Sequence, residues 1–111
     1  MPKRIQLSRR KGWRMPPNTV KVCRPSKFGN PWPVGSEGPY GRTAPDREGA
    51  VGFFRQMLTD PVLRAFAGYP SDDDIRSELR GKNLACWCPI DGPCHADVLL
   101  DLANQEPHHA E

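Results

Sequence analysis

The apolar run Asn83-Leu84-Ala85-Cys86-Trp87 passes directly into Cys88-Pro89-Ile90-Asp91-Gly92-Pro93-Cys94-His95 and then into Ala96-Asp97-Val98-Leu99-Leu100. A short apolar run, a turn dense in proline and glycine and an amphipathic run read as strand, loop and helix. That succession is the unit from which α/β domains are built. The segment also gathers three of the four cysteines and one histidine. Sulfur and imidazole bind soft or borderline metals, and the same groups make nucleophile pairs. This segment therefore constrains both the fold and the place where chemistry would sit.

The remaining elements follow from local signals. Arg4 to Ser8 alternates charged and apolar residues and reads as a strand. Thr19 to Cys23 is β-branched and reads as another, with Asn83 to Trp87 as the third. Between Arg24 and Thr43 the chain is rich in proline and glycine and is expected to be a long loop, a length that commonly serves function. Asp46 caps a helix to about Leu58, with Val51, Phe54 and Leu58 on its buried stripe. Asp60-Pro61 opens a short helix ended by Gly68, and Ser71 caps a third that stops at Gly81. Pro93 or Cys94 opens the last, which buries Val98, Leu99 and Leu102. We expect an α/β domain: a small sheet of about three or four strands with at least one parallel pair, flanked by about four helices. Residues 1–104 form one domain with a basic segment at 1–36. Residues 105–111, with His108 and His109, make a disordered tail.

In parallel sheets the functional loops emerge beyond the carboxyl ends of the strands. The loops after Cys23 and Trp87 both leave from such ends. If the strands are parallel, the two loops meet.

Charge is distributed unevenly. Nine basic residues and no acidic one precede Glu37, whereas seven basic and thirteen acidic residues lie from Glu37 onward. The first segment thus carries +9 and the remainder −6, for the net +3. A one-sign arm of this density suits a phosphate-bearing partner, nucleotide or nucleic acid. The competing reading folds the arm against the chain's own acidic half. No apolar run approaches the roughly 20 residues that span a bilayer, so no membrane partner is expected. No export leader is recognised, which makes a cytoplasmic location with reduced thiols the expectation.

The cysteine loop admits three readings. Cys86, Cys88 and Cys94, with His95 or a water as fourth ligand, would make a zinc site, zinc being the cofactor such donors take. Against it stand the C-x-C spacing and the strain of adjacent Cys94 and His95 converging on one ion. Alternatively Cys86 or Cys94 is a reactive thiol with His95 as acid, base or anion contact; Cys94 at a helix N-terminus would have a lowered pKa. In the third reading the cysteines fill core space beside Trp87. Pro93-Cys94 matches part of a zinc deaminase signature, but the chain lacks H-x-E and has Asp97 where the next cysteine belongs.

The loop Arg24-Pro25-Ser26-Lys27-Phe28-Gly29-Asn30-Pro31-Trp32 mixes cations, a hydroxyl, an amide and two rings. Arg24, Ser26, Lys27 and Asn30 are expected to hold an anion, with Trp32 stacking on a base. Lys11 and Trp13, in Arg9-Arg10-Lys11-Gly12-Trp13-Arg14, would extend that surface. No P-loop pattern is present. Phe28 and Trp32 serve equally well as core anchors of a long loop.

Taken together, S-R-R-K-G-W-R-M-P-P-N, C-R-P-S-K-F-G-N-P-W, L-R-G-K-N-L-A-C-W-C-P and C-H-A-D-V-L-L-D-L-A-N resemble a small phage and bacterial family, domain of unknown function 4326. The resemblance runs from about Arg4 to Asn104. Its typical residues fall on Lys11, Trp13, Arg24, Lys27, Asn30, Cys86, Cys88, Cys94 and His95, among others. Members often carry glycine where this chain has Cys23. The family implies no activity. The strand–loop–helix ending is also similar to a second uncharacterised α/β family with a C…C-H-R ending.

The expectation is a domain that binds a phosphate-bearing ligand in a cleft walled by Arg and Lys on one side and by Cys86, Cys94 and His95 on the other. No motif fixes a reaction. The alternative is a zinc-stabilised, non-catalytic module for nucleic acid or a host protein.

Overall fold

Leu84, Ala85 and Cys86 are almost completely buried, and this run forms the middle of the sheet. A strand covered on both faces needs apolar residues at successive positions rather than alternation. In the computed structural model, which describes residues 2–105, β1 spans Arg4–Gln6, β2 Thr19–Lys21 and β3 Asn83–Cys86. The order is β1-β3-β2, and both pairings are parallel. Ile5 lies opposite Ala85 in one pair and Val20 opposite Leu84 in the other. The sheet is small and α/β, as expected.

The strands are shorter than the sequence pattern suggests. Leu7 N–H still donates to Cys86 O and Val22 N–H to Ala85 O, each at 2.9 Å, so both outer segments stay beside β3 after regular pairing ends. All three chain segments therefore leave the sheet at one edge. The loops that follow Leu7, Cys23 and Cys86 emerge together.

Four helices surround the sheet: α1 Arg47–Thr59, α2 Pro61–Ala67, α3 Asp72–Leu79 and α4 His95–Asn104. Their starts are local chemistry. Asp46 accepts from Gly49 N–H, Asp60 from Val62 and Leu63 N–H, and Ser71 from Asp74 N–H. Gly68 ends α2 at φ 68°, a left-handed position that glycine adopts without strain. Helix α4 packs on β3 and β1 and against α1 and α3, which puts its first turn at the carboxyl edge.

Two expectations about helix faces need correction. The buried stripe of α1 is Ala50, Phe54 and Met57, with Val51 and Leu58 only partly covered. The small Ala50 lets the loop come close, and its carbonyl accepts from Asn30 Nδ2 at 3.0 Å. In α4, Ala103 is buried and Leu102 only partly so, because His95, Ala96 and Leu99 turn the buried face toward the sheet. The 24–43 loop is also more ordered than a plain connection. It carries a 3-10 turn at Pro39–Gly41 and bridges from Val34 to Ala44 and from Glu37 to Thr43. Of the expected tail, Gln105 caps α4; residues 106–111, with both tail histidines, lie outside the described residues.

Candidate functional site

At the carboxyl edge β3 ends on Cys86, the chain bends through Trp87 and Cys88, and the next turn returns Cys94 to the cap of α4. The return is fastened by Arg4, whose Nη2 reaches the carbonyl oxygens of Pro89, Ile90 and Gly92. Three sulfurs converge as a result. Cys86 Sγ and Cys88 Sγ are 3.9 Å apart, and with Cys94 Sγ all lie within 4.8 Å of one another. A zinc–sulfur bond of about 2.3 Å sets tetrahedral ligand sulfurs about 3.8 Å apart. The cluster thus has the dimensions of a mononuclear metal site, and these three cysteines could hold a metal ion.

Electrostatics within the cluster are lopsided. Hydrogen bonding with Cys88 and Cys94 holds the Cys86 thiol well below the ordinary range. Cys94 is pushed up, chiefly by hydrogen bonding with Cys86 and Cys88, with burial adding to the shift. Cys88 is also raised by its bond to Cys86. The helix N-terminus was expected to lower Cys94; its hydrogen bonding with Cys86 and Cys88 and its burial raise it instead. Cys23, on the adjacent segment, is raised by burial and then by the Cys86 charge.

His95 is only 5% exposed. Its Nε2 lies 2.8 Å from Val22 O and 3.1 Å from Phe28 O. Carbonyl oxygens only accept, so Nε2 bears the proton and ties α4 to the loop after β2. Nδ1 faces Cys94 Sγ at 3.8 Å, and burial holds the imidazole toward its neutral form. Phe54 meets the ring edge-on at 5.3 Å.

Above the sulfurs lies a cavity of about 320 Å³. The three clustered cysteines, Cys23 and His95 line it from one side, and Arg24, Asn30 and Trp32 from the loop after β2. Arg47, at the first position of α1, completes the rim with Trp87. Among the described residues, no carboxylate lines the cavity. The arginine loop and the cysteine turn therefore share one space, because parallel strands send both to the same edge.

The other sequence-selected residues fall in varied places. Asn30 lines the cavity, but its amide is engaged: Nδ2 donates to Ala50 O, and Oδ1 accepts from Trp32 N–H at 2.9 Å. Trp32 is in the wall yet only 1% exposed, packed against Phe53 with Nε1–H donating to Pro39 O at 3.3 Å. Lys27 lies outside the lining and pairs with Glu78 at 2.7 Å. Ser26 Oγ accepts from Phe28 N–H within its own turn. Lys11 is exposed and Trp13 half-buried against the core, neither in the cavity wall. Arg24 Nη1 donates to Asn30 O at 2.6 Å, and Gly29 lets the loop close on it, since a Cβ there would meet Arg24 Cγ at 2.8 Å.

Two lining residues escape the sequence reading. The sequence does not single out Arg47, and Trp87 reads as the end of a strand. Trp87 is in fact 42% exposed, with the Arg9 guanidinium 4.7 Å from its ring centroid. The available signal was position: each directly follows a cap or a strand end at the carboxyl edge.

Among the described residues no helix is long and apolar enough to cross a membrane. A family model described as "Domain of unknown function (DUF4326)" matches residues 5–105. No curated protein and no solved structure matches the chain.

Proposed function

Given that the chain belongs to the domain of unknown function 4326 family, which carries no activity to transfer, we propose a metal-containing ligand-binding domain. One thiophilic ion of the zinc class sits on Cys86, Cys88 and Cys94. A small phosphate-bearing ligand, a nucleotide first among candidates, occupies the cavity above it. One observation carries the reading: three converging sulfurs and two arginines face a single cavity with no carboxylate in its wall. Guanidinium forks suit phosphate oxygens, and the exposed ring of Trp87 suits the face of a base. The role of His95 is to hold the two walls together through Val22 and Phe28. Such a site needs reduced thiols, in keeping with a cytoplasmic setting.

The direct test measures bound zinc in protein purified without added metal, then titrates AMP by calorimetry. The expected result is one zinc per chain and an AMP affinity that falls about tenfold or more in Arg47→Ala. Metal-free protein with AMP binding unchanged by that substitution would remove both halves of the proposal.

A second reading has its own observation. Arg9, Arg10, Lys11 and Arg14 are exposed and form no ion pair among the described residues, and Arg9 meets the cavity rim at Trp87. This favours a nucleic-acid strand tracked by the arm toward the cavity. Binding of a single-stranded oligonucleotide would then weaken steeply between about 50 and 200 mM salt. Salt-insensitive binding would leave only the small-ligand form.

A further inference from the structure

Three sulfurs leave a tetrahedral ion one ligand short, and we infer that this fourth position opens on the cavity and is filled by an oxygen of the phosphate-bearing ligand itself. The inference rests on the metal-and-ligand reading above and assigns the manner of binding: direct coordination, with a water in place before the ligand arrives.

The neighbouring donors argue for an open position. His95 follows Cys94 in sequence, and its ring is fixed by two carbonyl acceptors at 2.8 and 3.1 Å. With Nε2 held there, Nδ1 faces Cys94 Sγ at 3.8 Å, and drawing it closer to Cys86 and Cys88 would strain both bonds in a buried place. The His95 nitrogen is not among the converging ligand atoms. Cys23 also lines the cavity, but its sulfur stands outside the cluster of three. No carboxylate lines the wall among the described residues. The fourth donor therefore comes from solution. Metal sites that keep one position for water or substrate have this composition: three protein ligands facing a cavity.

Charge decides which donor can come. Three thiolates around a divalent ion carry a net charge of −1, which by itself repels phosphate. Arg24 and Arg47 on the same cavity reverse the sign to +1. At short range in a partly desolvated cleft that difference decides whether an anion can touch the ion. The arginines are thus positioning residues for an inner-sphere anion. Arg47 is the cleaner probe, because Arg24 also holds its own loop through Asn30 O.

The experiment replaces the native ion with cobalt(II) in the full chain and records the visible spectrum while AMP, and separately inorganic phosphate, is titrated. Calorimetry on the same sample reports binding independently. The expected result is one cobalt per chain and saturable band shifts with both probes. Arg47→Ala should raise the midpoint at least tenfold without changing cobalt stoichiometry. Cys23→Ser should leave the starting spectrum as it is. An unchanged spectrum while calorimetry registers AMP binding overturns direct coordination and leaves the metal-and-ligand reading standing. A spectrum altered by Cys23→Ser also overturns it, since Cys23 would then close the site. Failure to bind cobalt removes the metal reading on which the inference stands. A cobalt site with no response to either probe and no calorimetric binding overturns the inference together with the ligand half of that reading.

Discussion

Arg4, in the first strand, donates a 2.9 Å hydrogen bond to the carbonyl oxygen of Gly92, 88 positions further along the chain. The same Nη2 reaches Pro89 O at 3.0 Å and Ile90 O, while Nη1 lies 3.5 Å from Asp97. The Arg4 side chain is only 7% exposed. A cation from the opposite end of the sequence thus organises the turn that separates Cys88 from Cys94.

Replacing it should disturb both stability and metal binding. Arg4→Met keeps the packing volume but removes every donor, leaving turn carbonyls short of a partner. The expected loss is about 2 to 4 kcal/mol, measured by urea unfolding of chelated protein. Zinc affinity should fall about tenfold or more, because the turn no longer holds its sulfurs in register. Arg4→Lys should recover little, since an ammonium cannot spread over several carbonyls as a guanidinium does. A loss within about 0.5 kcal/mol and unchanged zinc affinity would show that the turn orders itself without Arg4.

Removing one sulfur isolates the metal's contribution to stability. Cys88 is half-buried, so Cys88→Ser fits without strain, whereas Cys86 and Cys94 sit in the core. Zinc at 100 times its dissociation constant stabilises the native chain by about 2.7 kcal/mol. In a domain of this size that corresponds to a melting shift on the order of 10 °C. A chelator should abolish the shift in the native chain and do nothing measurable to Cys88→Ser. Equal melting temperatures for the native chain with zinc and with chelator would argue that the sulfurs merely fill space.

These expectations separate what local chemistry specifies from what it does not. Asp46, Asp60 and Ser71 announce their helices because a cap bonds to amides two or three residues away. The cysteine cluster is readable because its members lie within one turn of chain. Parallel pairing of β2 with β3, and with it the meeting of two loops, follows from the helices that lie between them in the chain. Lys27 and Ser26 look like anion ligands for the same compositional reasons as Arg24, yet Glu78 on α3 takes the one and a local turn takes the other. That choice depends on which helix packs beside the loop. Arg47 goes unnoticed because it belongs to no pattern, and Trp87 reads only as the end of a strand; only the folded edge brings them to the cavity. The α1 stripe is displaced since Ala50, small enough to admit the Asn30 loop, outranks larger Val51 as the buried position.

Asn30 offers a test of a loop tie against a ligand contact. Its amide satisfies Ala50 O and Trp32 N–H, both in buried surroundings. Asn30→Ala should cost about 2 to 3 kcal/mol through unpaired buried groups. The AMP affinity of the molecules that remain folded should change less than in Arg47→Ala. Stability held constant with a tenfold weaker AMP affinity would instead make Asn30 a ligand contact.

Tyr69 should make stability decline at alkaline pH. Its hydroxyl donates to Phe28 O at 2.7 Å, and burial pushes the phenol above its usual value near 10 despite the nearby Arg64. In the unfolded chain the phenol ionises from about pH 10, while the folded chain keeps it protonated. The folded state then binds the extra proton, so stability is complete below pH 10 and declines as pH rises above it. The slope approaches about 1.4 kcal/mol per unit. Tyr69→Phe should cost about 1 kcal/mol at pH 7 for the lost bond, because Phe28 O keeps His95 as a donor. Above pH 10 the variant should lack this part of the decline, and the two stability curves should converge. Urea unfolding of chelated protein at pH 7, 9, 10 and 11 measures both. Parallel curves throughout that range would mean the phenol ionises as readily in the folded chain, and Tyr69 would then be less sealed than its place against Phe54 and Phe28 implies.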